Sequence, residues 1–568
     1  MEPAHHQQQV PSDPAYAHLL GQRVLLRQSV GSIKFAGRLL NNPKAGTDIW
    51  LGIEWDEEGQ QGKHQGMVDG ICYFECEFHR NSPQYGNTQC CSFVRHGKVQ
   101  IGGQTLREAI IEKYRPDDMM SEQEREKLKK VEDEELYVNT DKKGMKKIQV
   151  LGQAMSYGWR SDYKANYEIA LEFMRISELG PKGGLAELIP NTQYLYLDKN
   201  LLYSWDQFYQ ITRELRYLHT LVLTGNKFKR LDPSYMLGKR SEDLINPYLK
   251  ELILIDMALD WSQIDILAPT LIYVEQLHLV RCHCKHISTK YAISKEYFKN
   301  LKFLNLEQNG IESWDEIVGL RTLPVLKRLT VSKNRIAEIY YKPGFFELYM
   351  ITMEDNIINS WKTFDELNKF KTITHIRCSG NPILESFGSQ QHQIGLARNI
   401  VISRLQFLKN INGSEIEQGE RKDAELHYMK KAYEEYIQAQ QLQVRVELQD
   451  EKLIQHMLEV HPRWYELVET YGSPLDVVSL KKEGTNIAST SAKLKLEGNG
   501  KTLEKKLLLS MTVKDLKSMC GKLFKVEMLR IHLTYIFEEC APYELDDDLR
   551  QLSFYSFADG GRVIVEQR

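Results

Sequence analysis

The stretch FLNLEQNGI, residues 303–311, is followed by RLTVSKNRI at residues 328–336, and the two share one pattern of apolar residues and asparagine. Apolar side chains two positions apart, such as Leu304 and Leu306, are typical of a short strand with one buried face. The asparagine then falls where the chain must turn, and its amide can satisfy backbone groups of a neighbouring coil. A unit of this size cannot bury its apolar face alone, so the pattern predicts stacked repeats.

The same pattern recurs through the middle of the chain. Eight segments align on one position, which is Asn in six of them: Asn200, Asn226, Met257, Cys282, Asn309, Asn334, Asn356 and Asn381. Successive spacings run from 22 to 31 residues, close to the repeat length of about 20–29 in leucine-rich repeats. Met257 and Cys282 should interrupt the asparagine ladder locally. We therefore predict an α/β leucine-rich repeat solenoid at residues 150–440, whose concave strand face suits a folded protein partner.

The end of the solenoid is indicated by a change of period. In residues 399–436 the apolar side chains recur at helical spacing and no longer at strand spacing. Helices there would cover the open edge of the last repeat. The segment resembles the helical cap that closes many leucine-rich repeat domains. That resemblance rests on Asn412, Gly413, Glu420, Arg421, Ala424, Glu425 and Tyr428.

Composition excludes several classes of function. The 568-residue chain has a net charge of −3, which argues against a basic surface for nucleic acid over the whole protein. Its N-terminus lacks the pattern of a secretory signal, and no window is apolar enough for a membrane span. We expect a cytoplasmic protein that binds neither nucleic acid nor membranes.

Nine cysteines, an odd number without a compact framework, indicate reduced thiols. Cys72, Cys76, Cys90 and Cys91 lie near one another in sequence, but they show no CxxC pair and no zinc-type histidine spacing. Cys72 and Cys76 are expected to alternate along a strand. The sequence therefore predicts no metal ion and no other cofactor.

The N-terminal region has the sequence pattern of a small β-domain. Short apolar segments separated by Gly, Pro and Asn run in the order GQRVLLR, GSIKFAGRL, WLGIEWDEE, GKHQG, CYFEC and CSFVRHGKV. Six pieces in this order resemble the cytoskeleton-associated protein glycine-rich family, or CAP-Gly. The resemblance implies a small all-β CAP-Gly domain at residues 16–104.

In that family the domain binds an acidic C-terminal peptide that ends in an aromatic residue, as in the tail of α-tubulin. Such a ligand needs convergent donors for carboxylates and an apolar slot for the ring. The resemblance implies Lys63 as the cation, His64 as a side-chain donor, and Gly62 and Gly66 as backbone that permits close approach. It places the slot and its rim at Phe35, Trp50, Phe93 and Arg95. Two further aromatic residues, Trp55 and Phe74, are expected to fill the core.

The GKHQG motif departs from the commonest family motif, Gly-Lys-Asn-Asp-Gly, at two positions. His64 replaces the asparagine, as in the tubulin-folding cofactor branch of the family, and Gln65 replaces the aspartate. Gln65 cannot supply a charge. Restoring the aspartate is predicted to strengthen tail binding if a carboxylate matters there.

Three further segments complete the chain. Residues 105–149 are dominated by charge and are predicted to be a linker, and residues 441–490 are predicted to contain a helical segment and a second linker. Residues 491–568 follow the order ββ-α-β-turn-β and resemble a ubiquitin-like domain with the β-grasp fold. Because the chain ends in VIVEQR without a terminal Gly-Gly, this domain is expected to act in place as a docking surface.

The arrangement of a CAP-Gly domain, leucine-rich repeats and a ubiquitin-like domain resembles the tubulin-folding cofactor family over nearly the whole chain. It implies a multidomain, cytoskeleton-associated chaperone that assembles and dismantles the αβ-tubulin heterodimer. The implied partners are α-tubulin, other tubulin-folding cofactors and the proteasome. No phosphate loop, HExxH or GxSxG motif nominates an enzyme. The alternative is a microtubule-associated adaptor that binds polymer tails and recruits partners through the repeats.

Overall fold

The computed structural model divides into two compact units, Met1–Arg421 and Lys422–Arg568. It describes residues 9–40, 48–56, 62–76, 89–114, 137–140, 144–147, 163–236, 244–287, 297–386, 391–443, 455, 458–472, 491–509, 511–526, 530–536, 543–545, 547–548, 550–552 and 560–567. Among these residues, no helix combines the length and the apolar character needed to cross a membrane.

The first unit begins with an antiparallel five-stranded sheet in the order β6-β3-β2-β1-β7. A 3-10 helix, Pro14–Leu19, precedes the sheet, and a two-stranded ribbon of β4 and β5 lies beside it. The strands are β1 (Arg23–Leu26), β2 (Ser29–Gly37), β3 (Trp50–Trp55), β4 (Met67–Val68), β5 (Ile71–Cys72), β6 (Cys91–Arg95) and β7 (Gln100–Ile101).

This sheet separates two apolar clusters. One contains Val24, Ile33, Leu51, Ile53 and Trp55. Trp55 is almost completely buried there, and its Nε1 donates to Ser92 Oγ at 2.8 Å, as expected for a core residue. The other cluster contains Phe35, Tyr73, Phe74, Cys90 and Cys91. The all-β character predicted for this region is therefore confirmed.

The predicted linker does not begin where charge alone placed it. Strand β8 (Gln104–Thr105) leads into helix α1 (Leu106–Lys113), which Thr105 and Glu108 cap reciprocally. On α1, Leu106, Ala109 and Ile110 are completely buried in the core of the solenoid. The prediction missed this helix because its apolar residues are few, although they recur at helical spacing. Farther on, β9 (Tyr137–Thr140) and β10 (Gly144–Lys147) form an antiparallel pair.

The same junction connects the first sheet to the solenoid. Strand β12 (Ile176–Glu178) pairs in parallel with β8. Gly103 N–H donates to Ser177 Oγ at 2.8 Å, and Gln104 Nε2 donates to Met174 O at 2.7 Å. The segment that directly follows the small β-domain is thus anchored to the solenoid by backbone pairing of β8 and by burial of α1 in the solenoid core.

The solenoid contains one eleven-stranded sheet, in which the strands from β11 to β21 pair in parallel and β21 pairs with β22 antiparallel. Its strands are β11 (Glu168–Ala170), β13 (Tyr194–Tyr196), β14 (Thr220–Val222), β15 (Glu251–Ile255), β16 (Gln276–Val280), β17 (Phe303–Asn305), β18 (Arg328–Thr330), β19 (Met350–Thr352), β20 (His375–Arg377), β21 (Asn410–Ile411) and β22 (Ser414–Glu415). The connecting segments contain α2 (Gly184–Leu188), α3 (Trp205–Glu214), α4 (Trp261–Leu267), α5 (Asp315–Val318), α6 (Lys362–Asn368), α7 (Pro382–Glu385) and α8 (Gln391–Arg404), with 3-10 turns at Ala268–Thr270 and Gly319–Thr322.

Buried asparagines link each repeat to its neighbours. Asn334 Oδ1 accepts from the N–H groups of Asn309 and Ile311, both at 3.0 Å, while its Nδ2 donates to Leu306 O at 3.0 Å. Asn200, Asn226, Asn309, Asn356 and Asn381 likewise donate to the preceding repeat. These amides satisfy backbone groups that stacking removes from water.

The predicted interruption of this ladder at Cys282 is wrong. The Cys282 thiol donates to Leu254 O at 2.9 Å, the contact that asparagine makes elsewhere, and Cys282 N–H donates to Asn309 Oδ1. A thiol is a weak donor, but it has the reach required at this buried position.

The last repeat is followed by α8 and by helix α9 (Gln418–Gln443). Asn412 Oδ1 accepts from Cys378 N–H at 2.9 Å, which continues the ladder into the cap. Arg421 donates to Ile402 O and Leu405 O, both at 3.2 Å, and Arg398 pairs with Glu420 at 2.6 Å. These guanidinium groups satisfy carbonyls near the open end of the stack.

The second unit contains helix α10 (Trp464–Tyr471) and a C-terminal β-grasp domain. Its sheet has the order β24-β23-β27-β25-β26, with β23 and β27 parallel. The elements are β23 (Ser491–Gly498), β24 (Lys501–Leu508), α11 (Val513–Phe524), β25 (Ile531–Ile536), β26 (Tyr543–Glu544) and β27 (Arg562–Gln567). Val513, Leu516, Cys520 and Phe524 of α11 are buried in the core of this domain. The predicted multidomain architecture is confirmed.

Candidate functional site

The candidate site is built on one face of the first sheet, around Phe93. Phe35 on β2, Gly52 on β3 and Phe93 on β6 are register partners, so their side-chain positions lie side by side. Gly52 has no side chain, and a Cβ there would lie 2.4 Å from an edge carbon of Phe74. This glycine therefore makes room for an aromatic ring between two strands.

Four aromatic rings surround the half-buried ring of Phe93. The ring centroids of Phe35, Tyr73 and Phe74 lie 5.9, 5.1 and 5.7 Å from that of Phe93, all edge to face. The His64 ring is stacked on it, with centroids 4.9 Å apart and planes inclined by 25°. The edge-to-face and offset contacts are the favoured arrangements for aromatic pairs, so the cluster is a rigid apolar wall.

The GKHQG turn is attached to β6 by backbone hydrogen bonds. Lys63 N–H and His64 N–H both donate to Cys91 O, at 2.7 and 3.1 Å, and Cys91 N–H donates to His64 O at 2.9 Å. His64 Nδ1 accepts from Gly66 N–H at 3.0 Å. A neutral imidazole that accepts at Nδ1 carries its proton at Nε2. Burial lowers the pKa of His64, which favours this neutral form and leaves Nε2–H as a donor.

The two glycines of the turn are fixed by backbone contacts. Gly66 has φ +88°, and a Cβ added there would lie 2.0 Å from Phe74 O. A Cβ on Gly62 would lie 1.7 Å from Gln89 O. Any side chain at either position must displace backbone, so both glycines allow the turn to approach the aromatic cluster closely.

The charged residues predicted for the site lie at two different places. Lys63 is exposed on the turn, and among the described residues its ammonium group makes no hydrogen bond or ion pair. Arg95 is the register partner of Trp50 and stacks over its ring at 5.4 Å, while its Nε pairs with Asp48 at 3.1 Å. Trp50 and Arg95 thus form a neighbouring patch on the same face of the sheet, two residues along β3 and β6 from Gly52 and Phe93.

The structure brings most of the predicted site residues together. Phe35, Gly62, His64, Gly66 and Phe93 converge on one cluster, with Lys63 on its turn. Phe35 is 1% exposed, so it supports the wall from below and leaves the contact surface to Phe93 and His64.

Sequence reasoning missed Tyr73, which packs against both Phe35 and Phe93. Its hydroxyl accepts from Leu40 N–H at 2.9 Å. Tyr73 lies just beyond β5, where the chain no longer alternates between faces, so no periodic signal identified it. Phe74 was placed in the core, and it is 2% exposed within the aromatic cluster.

A comparison with family models matches the CAP-Gly domain at residues 20–99. Tubulin-folding cofactor E of Arabidopsis thaliana is 29% identical, over 97% of this chain and 98% of that protein. Tubulin-specific chaperone E of Homo sapiens is 28% identical, over 98% of this chain and 99% of that protein. A solved structure of the ubiquitin-like domain of mouse tubulin-specific chaperone E covers 15% of this chain and 93% of its own, at 29% identity and a TM-score of 0.14. The chain therefore contains a CAP-Gly domain at residues 20–99 and is similar, over nearly its whole length, to proteins named tubulin-folding cofactor E and tubulin-specific chaperone E.

Proposed function

We propose that this chain is a tubulin-folding chaperone that binds α-tubulin and takes part in assembling and dismantling the αβ-tubulin heterodimer. The CAP-Gly domain binds the C-terminal tail, and the solenoid binds the body. The observation that carries the proposal is the stacked pair of His64 and Phe93 beside the exposed Lys63. The turn supplies a neutral donor and a cation beside the apolar wall on β6, which is what an acidic tail with an aromatic end requires.

The roles of the site residues follow from their positions. Phe93 and Trp50 offer aromatic surface to the tail, while Phe35 supports Phe93. His64 donates from Nε2, and Lys63 and Arg95 attract carboxylates. Gly62 and Gly66 keep the turn close to the wall.

The strand face of the solenoid supports a role in holding the tubulin body. Arg328 lies 4.2 Å from the centroid of the Phe303 ring and donates to Gln276 Oε1 at 3.2 Å. On neighbouring strands His278 Nε2 lies 3.4 Å from Glu251 Oε1. These polar and aromatic side chains constrain one another before binding, which lowers the entropic cost of complex formation.

The chain acts by binding and without catalysis, in the cytoplasm and in association with the cytoskeleton. Its further partners are other tubulin-folding cofactors and, through the ubiquitin-like domain, the proteasome. Similarity to chaperones along nearly the full length supports this assignment.

Tail binding is tested with the full-length protein and a fluorescent peptide that carries the acidic, aromatic-ended tail. Lys63→Ala and His64→Ala should each weaken binding about tenfold, which corresponds to about 1.4 kcal/mol. Lys98→Ala is the matched control, since Lys98 is an exposed lysine of the same domain outside the site. A peptide without its terminal aromatic residue should also bind more weakly. Undiminished binding of that peptide would refute the role given to the site.

The adaptor alternative is separated by sedimentation with microtubules. A chaperone should remain with soluble tubulin and reduce the amount of polymer. An adaptor should sediment with intact polymer.

A further inference from the structure

Three cysteines converge behind the GKHQG turn. Cys76 Sγ lies 3.1 Å from Cys90 Sγ and 2.9 Å from Cys91 Sγ, and the latter two sulfurs are 3.6 Å apart. Cys90 and Cys91 are buried, whereas Cys76 is half-buried at the edge of the cluster. Three sulfurs therefore form a closed triangle, and Cys76 is its most exposed corner.

The triangle was not expected from the spacing of the cysteines. Strand β5 ends at Cys72, so Cys76 does not alternate with Cys72 on one strand as predicted. Residues 73–76 instead lie outside any strand and bring Cys76 to two consecutive cysteines that are 14 and 15 positions away in sequence. A zinc-type spacing rule misses ligands gathered in this way.

We propose that Cys76, Cys90 and Cys91 form a binding site for zinc, or for another soft metal ion with the same preference for thiolates. Tetrahedral zinc–thiolate bonds of about 2.3 Å place the sulfurs about 3.8 Å apart, so the triangle needs to open by less than about 1 Å along each edge. Soft thiolate ligands select such ions. Three protein ligands leave the fourth position of the tetrahedron to water or a small ligand.

The environment of the thiols determines their protonation state when no metal is bound. Hydrogen bonds among the thiols and burial raise the pKa values of Cys76, to about 12, and of Cys91. Without a metal the three groups stay protonated and share hydrogen bonds. On binding, three S–H bonds break, three metal–sulfur bonds form and three protons pass to solvent, so that the site of one divalent ion and three thiolates carries a net charge of −1.

A disulfide explains the cluster less well. Joining Cys76 to Cys91 would use two sulfurs and leave the buried Cys90 thiol beside the bridge without a comparable role. A metal ion uses all three, and it ties residues 73–76 to the start of β6. Since Cys91 also carries the backbone bonds to Lys63 and His64, the ion would brace the turn from behind.

The test begins with full-length protein purified under reducing conditions, whose zinc content is measured by elemental analysis. We expect one zinc ion per chain. Cobalt titration of the metal-free protein should produce the sulfur-to-cobalt charge-transfer absorption and the visible bands of a tetrahedral thiolate site. This spectrum does not depend on any substitution, so it remains informative if a variant folds poorly.

Cys76→Ser is the decisive variant because Cys76 is the least buried ligand, and it should reduce zinc content from one per chain to near zero. Cys72→Ser is the matched control, since Cys72 is a half-buried cysteine of the same domain whose Sγ points to Phe74 O at 3.9 Å, outside the triangle. It should retain the metal. Intact mass after alkylation distinguishes the competing states: a disulfide between two of the three sulfurs, or three free thiols with no cobalt spectrum, would overturn the proposal.

Discussion

Single residues in the turn determine what the aromatic cluster can do. His64 is held by Gly66 N–H at Nδ1 and by stacking on Phe93, so its ring cannot rotate freely. Its remaining nitrogen is therefore fixed in direction before any ligand arrives. Pre-organisation of this kind lowers the entropic cost of binding.

Gly66 and Gly70 provide a matched pair for testing the turn. Both have positive φ, +88° and +74°, but a Cβ at Gly66 would meet Phe74 O at 2.0 Å whereas a Cβ at Gly70 would meet nothing within 4 Å. Gly66→Ala should lower the stability of the domain by about 2–4 kcal/mol, from left-handed strain and displaced backbone together. Gly70→Ala should cost about 1 kcal/mol, from the strain alone. Equal losses in thermal unfolding would show that close approach at Gly66 does not matter.

At the scale of elements, the asparagine ladder was the part of the solenoid that could be predicted best from sequence. Its residues recur with a fixed relation to the strands, because one side chain must serve the backbone of the neighbouring coil in every repeat. The hydrogen bond donated by Cys282 was not predicted. Repeat spacing identifies the ladder position, but it does not show that a thiol there can replace the asparagine amide as the donor. Helix α1 was missed for a related reason: three buried residues among many charges give a weak periodic signal.

The ladder can be tested at Asn334, which is 5% exposed and makes hydrogen bonds both to the preceding repeat and within its own repeat. Asn334→Ala should destabilise the solenoid by about 2–4 kcal/mol in urea unfolding, because several buried backbone groups lose their partner. Asn305→Ala is the control. Asn305 is a half-buried strand residue whose Oδ1, within the described part of the chain, accepts only the local Glu307 N–H, so the change should cost less than about 1 kcal/mol. Similar losses for both variants would contradict a special role for the buried ladder.

Asp265 on α4 predicts how stability depends on pH. Burial raises its pKa to about 6, above the ordinary value of about 3.9 for an aspartate. The folded state therefore binds more protons than the unfolded state between these two values, so this carboxyl group lowers stability as pH rises through that window. Asp265→Asn should be more stable than the unsubstituted chain at pH 7, and the difference in melting temperature should shrink as the pH is lowered toward 4. A difference that does not change with pH would exclude the carboxyl group as its cause.

At the scale of the whole molecule, the sequence predicted each fold but not how the first two are joined. The resemblances to CAP-Gly, leucine-rich repeat and ubiquitin-like domains each rest on several motifs in a fixed order, so the fold class could be predicted from them. The boundary at residue 105 depended on charge density, which does not report whether a few apolar residues face a core. The GKHQG turn was found from sequence, whereas Tyr73 and the cysteine triangle depend on irregular backbone that no period describes.

The junction can be tested on α1 of the intact chain. Ile110 is completely buried in the solenoid core, whereas its neighbour Ile111 is half-buried. Ile110→Ala should cost about 2–4 kcal/mol of solenoid stability and Ile111→Ala about 1 kcal/mol or less, measured by urea unfolding. A true linker at this position would tolerate both changes equally.

The pairing of β8 with β12 has a consequence for how a client is selected. A pocket on a flexible tether accepts its ligand over a broad range of distances, and the second contact then depends on a statistical local concentration. A pocket whose domain is followed at once by a strand paired with the solenoid and a helix buried in it offers a narrow range of distances instead. For the proposed client, the length of chain between its tail tip and its folded body therefore becomes a criterion of recognition, so tails shortened or extended by a few residues should compete poorly even when their terminal chemistry is unchanged.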